Sequence, residues 1–67
     1  MKLTINGQNM TFSNQINHVN QLLQELDLKV KTVVVELNRH ILTPEDHAEA
    51  VLRDGDSLEI VHFVGGG

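Results

Sequence analysis

The sequence predicts an α+β fold, a mixed sheet of four to five strands packed on one main helix and a short helical turn. Three observations predict it. Apolar residues alternate at period two on both sides of an Asn6-Gly7 pair. A later stretch has the three-to-four spacing of an amphipathic helix, and β-branched runs follow it.

The opening hairpin comes from Leu3, Ile5, Met10 and Phe12, which alternate with polar residues as half-buried strands do. Asn6-Gly7 supplies the two positive-φ residues of a type I′ turn, so residues 2–5 are expected to pair with 8–12. Val19, Leu22, Leu23 and Leu26 fall at i, i+3, i+4 and i+7 and form one helical stripe. Asn17 or His18 is the expected N-cap, with Asn the better acceptor for the first free amides. The helix is expected to end near Asp27 to Lys29.

Val33-Val34-Val35-Glu36-Leu37 reads as a central strand. Asn38-Arg39 turns the chain toward the apolar pair Ile41 and Leu42. Thr43-Pro44-Glu45-Asp46 offers a capping hydroxyl, a proline at the first helical position and acids in the first turn, so one helical turn is expected near 44–47. Val51-Leu52 is expected as a brief strand, Asp54-Gly55-Asp56 as a turn, and Leu58 to Val64 as the last strand. A hairpin, a crossover helix and a final strand long enough to lie centrally are the elements of the β-grasp, or ubiquitin-like, fold, although periodicity alone also permits another small α+β sheet packed on one helix. The organisation expected is a β-grasp domain over 1–64 and a flexible glycine tail over 65–67.

Composition narrows the function. Sixty-seven residues accommodate one core, and with no cysteine neither disulfides nor thiolate–metal bonds support it. Nine acidic against five basic residues give a net charge of −4, dispersed rather than blocked, which argues against a nucleic-acid partner. No stretch approaches the ~20 apolar residues of a membrane span, and Met1-Lys2-Leu3-Thr4 lacks the pattern of a signal peptide. A cytoplasmic monomer is expected. His18, His40, His47 and His62 lack metal-ligand spacing, so exposed or half-buried histidines and no metal site are expected. Ser13 and Ser57 stand in no triad context, which speaks against an enzyme.

Gly65-Gly66-Gly67 follows directly on an apolar strand. One reading is a frayed end. The other is functional: three residues extend at most about 10 Å, and glycine has no Cβ to meet the walls of a narrow channel. A carboxylate carried into such a channel becomes an acyl donor once it is adenylated, and a sulfur nucleophile that displaces AMP leaves a thiocarboxylate. If Leu58 and Ile60 face the core, alternation turns Glu59, Val61 and Phe63 outward, where Val61 and Phe63 would form a docking patch. A bulge or twist that buries Phe63 is the competing expectation.

The stretch from Asp54-Gly55-Asp56 through Leu58 to Gly67, the Asn6-Gly7 hairpin, the Val19-to-Asp27 helix and Val34-Val35-Glu36-Leu37-Asn38 together resemble the ThiS family of sulfur carriers of thiamine thiazole biosynthesis. The resemblance covers essentially the whole chain. It implies that Gly67 is the adenylation and thiocarboxylate site and that Gly66, Gly65 and Val64 enter the partners' channels. The implied partners are an E1-like adenylyltransferase of the ThiF type, a thiazole synthase of the ThiG type and a sulfur-donating enzyme such as a cysteine desulfurase. No bound cofactor is implied, ATP being consumed by the activating enzyme. A carrier resembling the small subunit of molybdopterin synthase and a ubiquitin-like protein modifier are the alternatives. The former tends to be longer, with prolines before its tail, whereas the only proline here is Pro44.

Overall fold

The computed structural model of the chain describes residues 1–29 and 32–62. Strands β1 (Lys2–Ile5) and β2 (Gln8–Thr11) pair antiparallel, with Lys2 opposite Thr11 and Ile5 opposite Gln8. Asn6 and Gly7 between them have φ of 51° and 83°, the positive values that a type I′ turn demands. Phe12 falls just beyond β2, although its N–H still donates to the Met1 carbonyl at 2.8 Å.

Helix α1 (Val19–Glu25) has His18 as its N-cap rather than Asn17. The reason lies in Gln21, whose side-chain oxygen reaches back to accept the N–H of Asn17 at 2.7 Å and of His18 at 3.0 Å. At the other end Asp27 adopts φ 58°. Its N–H donates to Gln24 and that of Leu28 donates to Leu23, the Schellman pattern that closes a helix. The stripe read from the sequence is the buried face: Val19, Leu22 and Leu23 are fully enclosed and Leu26 is half-buried. Among the described residues no helix is long and apolar enough to cross a membrane.

Strands β3 (Val33–Leu37) and β4 (His40–Leu42) form a second hairpin around Asn38 and Arg39, both at positive φ. A 3₁₀ turn, Pro44–Ala48, follows, capped at Thr43, whose N–H and hydroxyl both donate to the Asp46 carboxylate. The expected strand at Val51-Leu52 reduces to a single bridge between Val51 and His18. Two bonds, Val19 to Ala50 and Leu52 to Asn17, anchor that segment to the start of α1, and only Leu52 is buried. Those bonds commit its backbone to the start of the helix and not to the five-stranded sheet.

Strand β5 (Ser57–His62) completes the sheet in the order β2-β1-β5-β3-β4. It lies in the middle, parallel to β1 and antiparallel to β3, so the five strands form the mixed sheet of the β-grasp. Leu58 and Ile60 point into the core beside Leu3, Ile5, Val33 and Val35, and α1 covers this face. Each buried aliphatic side chain contributes about 1.5–3 kcal/mol relative to exposure, which is what holds so small a domain together.

Candidate functional site

The residues expected to carry the chemistry, Gly67 with Gly66, Gly65 and Val64, and the expected docking residue Phe63, lie outside the described residues, as does the glycine tail over 65–67. What the structure supplies is the platform that leads to them. Strand β5 is bonded on one side up to His62, the last described residue, and on the other up to Ile60. On one side Val33, Val34 and Val35 stand opposite His62, Val61 and Ile60. On the other, β1 stops at Ile5, and its pairing with β5 is continued by a side chain. Asn6 donates its backbone N–H to the Leu58 carbonyl at 2.9 Å. Its side-chain oxygen accepts the Ile60 N–H at 2.7 Å, and its Nδ2 donates to the Ile60 carbonyl at 3.1 Å. The Asn6 amide thus stands in for a peptide group one residue beyond the end of β1.

This clamp escaped the sequence reading, which saw in Asn6 only a residue tolerant of positive φ. The turn signal locates the residue. Its reach to a strand more than fifty positions away depends on the sheet order, which no local pattern encodes.

The acidic turn before β5 is likewise built into the fold. Asp54 accepts the Lys2 N–H at 2.6 Å, while Gly55, at φ 91°, donates its own N–H to the Lys2 carbonyl. Asp56 accepts from the Arg53 N–H and from Asn38 Nδ2, and Asn38 in turn accepts the Ser57 N–H. These bonds tie the β3–β4 turn to the entry of β5, so both ends of the central strand are fixed by asparagine side chains.

Val61 stands where alternation places it, on the face away from α1, and 59% of its surface is exposed. It lies opposite Val34. One step back along the same face Glu59 is opposite Glu36, and Glu36 is opposite Ile41, itself 71% exposed. The outer face therefore carries an apolar group, Val34, Val61 and Ile41, beside two carboxylates.

The histidines do not converge. His18 is half-buried and His40 and His62 are exposed, but His47 departs from the expectation, being fully enclosed. Neither of its ring nitrogens has a hydrogen-bond partner among the described residues. Burial pushes its pKa below the ordinary value, against the opposing pull of Asp46 and Glu45. The ring fills space on the 3₁₀ turn while its nitrogens stay buried polar atoms without a partner among the described residues. Among the described residues no three His, Cys, Asp or Glu side chains are grouped so as to hold a metal ion.

Comparison with known proteins adds to this geometry. The model of the ThiS family matches residues 3–67. The chain is 40% identical over 65 residues to the sulfur carrier protein ThiS of Bacillus subtilis, covering 97% of this chain and 98% of that one. It is 45% identical over all 67 residues to a thiazole synthase of Paramagnetospirillum magneticum, of whose length it spans 20%. The crystal structure of the thiamine biosynthesis protein ThiS of Geobacter metallireducens superposes with a TM-score of 0.83 at 36% identity, over the full length of both chains. A match of this extent, in sequence and in a fold whose central strand leads to the glycines, places the chain: it belongs to the ThiS family.

Proposed function

We propose that the protein is a sulfur carrier of thiamine biosynthesis whose working group is the Gly67 carboxylate, and that it is not itself an enzyme. The observation that supports the reading most directly is the match to the ThiS family over residues 3–67, which takes in Gly65, Gly66 and Gly67. In this proposal a carboxylate oxygen of Gly67 attacks the α-phosphorus of ATP, pyrophosphate leaves, and an acyl-adenylate forms. A sulfide (HS⁻) supplied by a sulfur-donating enzyme then attacks the acyl carbon, the new C–S bond replaces the C–O bond to AMP, and AMP departs with the electron pair. The resulting thiocarboxylate gives up its sulfur to thiazole formation.

An E1-like adenylyltransferase performs the activation and a thiazole synthase accepts the sulfur. Val64, Gly65 and Gly66 enter their channels, and the two glycines take the narrowest part, because a chain without Cβ atoms fits there and adopts any φ imposed on it. Val61 and Phe63 dock against the activating enzyme. The carrier is cytoplasmic and monomeric, with no cofactor of its own. The clamp of Asn6 on Ile60 supports this reading, for it holds the strand that leads to the reactive end.

Intact mass spectrometry tests the proposal. After incubation with ATP, the adenylyltransferase and a sulfur source, the chain is expected to gain the mass difference between one sulfur and one oxygen. Deletion of Gly67 is expected to abolish the gain without altering the far-UV spectrum. A gain that persists in the deletion variant, or none in the intact chain, refutes the assignment.

A further inference from the structure

We infer that Asn6 is a covalent modification site, a self-deamidating residue that its pairing with β5 keeps locked. Asn6-Gly7 is the one asparagine–glycine pair of the sequence, the other asparagines being followed by larger residues. Such a pair is the most reactive of its kind, because no side chain shields the glycine nitrogen and the glycine backbone turns freely. It occupies the tip of the β1–β2 hairpin, where both residues are exposed. Apart from the adjoining residues, no atom lies within 4 Å of where a Gly7 Cβ would stand, so water and hydroxide reach the turn from outside.

The reaction consumes only water. The Gly7 nitrogen gives its proton to hydroxide and bonds to Asn6 Cγ. The Cγ–Nδ2 bond breaks, and Nδ2 leaves with the electron pair, taking a proton from water to depart as ammonia. Water then opens the five-membered imide. Cleavage of the Cγ–N bond restores an ordinary backbone with an aspartate side chain at position 6. Cleavage at the backbone carbonyl gives isoaspartate, whose main chain runs through Cβ and Cγ.

In the folded chain the atoms that must move are the ones that are held. Nδ2, the leaving group, donates to the Ile60 carbonyl at 3.1 Å, and Oδ1 accepts the Ile60 N–H at 2.7 Å. The backbone N–H of Asn6 is also tied to β5, through the Leu58 carbonyl. Forming the imide swings Cγ toward Gly7, so both bonds to Ile60 part first. Neither product can be locked again. Aspartate at neutral pH has no donor for the Ile60 carbonyl. Isoaspartate adds a carbon to the main chain of a two-residue turn whose geometry sets Ile5 opposite Gln8. Each opening of the seam between β1 and β5 thus exposes Asn6 to an irreversible change, and the modified fraction records how often the seam opens.

Mass spectrometry of the full chain, held at mildly alkaline pH and then cleaved after Lys2 and Lys29, tests this. The peptide 3–29 is expected to exchange one NH₂ for OH and to separate into two isomers. In urea above the unfolding transition, Asn6 is expected to react ahead of every other asparagine. In the folded chain its reaction should be about tenfold slower or more, the equivalent of two ordinary hydrogen bonds. Below the transition, added urea should speed deamidation and hydrogen exchange of the Ile60 amide in step, because one opening frees both. Leu58→Ala empties a buried position on β5 and should quicken both in the same proportion. Should that variant fail to fold, Ile60→Val gives the same reading at smaller amplitude. Equal rates in the folded and unfolded chain overturn the lock. A folded-state rate that stays slow while Ile60 exchange rises assigns the protection to the turn and overturns the role of β5. Reaction chiefly at another asparagine overturns the site. No step involves Gly67 or a partner enzyme, so these outcomes are independent of the function proposed above.

Discussion

Replacing Asn6 by glycine isolates the side-chain clamp on β5. Glycine accepts the φ of 51° found at this position, so the turn survives while the amide is removed. Two bonds are lost, from Nδ2 to the Ile60 carbonyl and from the Ile60 N–H to Oδ1. At about 0.5–1.5 kcal/mol each, their loss costs ~1–3 kcal/mol. The lower half of that range applies, because both bonds are only partly buried and water can take the vacated places. In a domain of this size a loss of 1 kcal/mol lowers the melting temperature by about 4–8 °C. Asn6→Gly is thus expected to melt ~4–16 °C lower, with faster hydrogen exchange at the Ile60 amide. Asn6→Asp sharpens the test, since it keeps an acceptor for the Ile60 N–H but points a carboxylate oxygen at the Ile60 carbonyl. It is expected to be less stable than Asn6→Gly at neutral pH and to recover in acid as the carboxyl regains a donor. Unaltered melting and unaltered Ile60 exchange in both variants would refute the clamp.

Burial of His47 sets a second expectation. Its folded-state pKa is lowered, so between that value and the ordinary 6.5 the unfolded chain binds more protons than the folded one. The stabilisation is complete above about pH 6.5 and is lost as pH falls from there toward the folded pKa. Urea midpoints measured at stepped pH should show the loss, and His47→Leu should flatten the slope in that window. Equal slopes in the two proteins would mean that other groups cause it. Leu22→Ala empties a fully enclosed position facing the sheet and is expected to cost about 2–5 kcal/mol, enough to unfold much of so small a domain at 37 °C. Circular dichroism reads the outcome, and a cooperative melt near that of the parent would mean that the site collapses around the missing atoms.

Local chemistry made most of the fold legible. Asn6-Gly7, the four-residue stripe of α1 and Thr43-Pro44 each announce a conformation that the residues favour in isolation, and each is present. The outward placement of Val61 followed from period two once Leu58 and Ile60 were assigned to the core. What escaped the reading depends on distant partners. Val51-Leu52 has strand-forming residues but meets the helix cap instead of a sheet edge. His47 looks like any surface histidine until the 3₁₀ turn is folded back and the ring is enclosed. The roles of Asn6, Asn38 and Asp56 require the order of the sheet, which pairs residues at the two ends of the sequence.

That order has a consequence for synthesis. The strand in the middle of the sheet comes after all the others along the chain, and it pairs Ser57 with Thr4 across the whole intervening sequence. The two hairpins that flank it can form early from local contacts, but they cannot join until residues 57–62 leave the ribosome. Closure of so long a loop is the slow event in assembling such a topology. The two outer hairpins therefore become one sheet only once β5 stands between them.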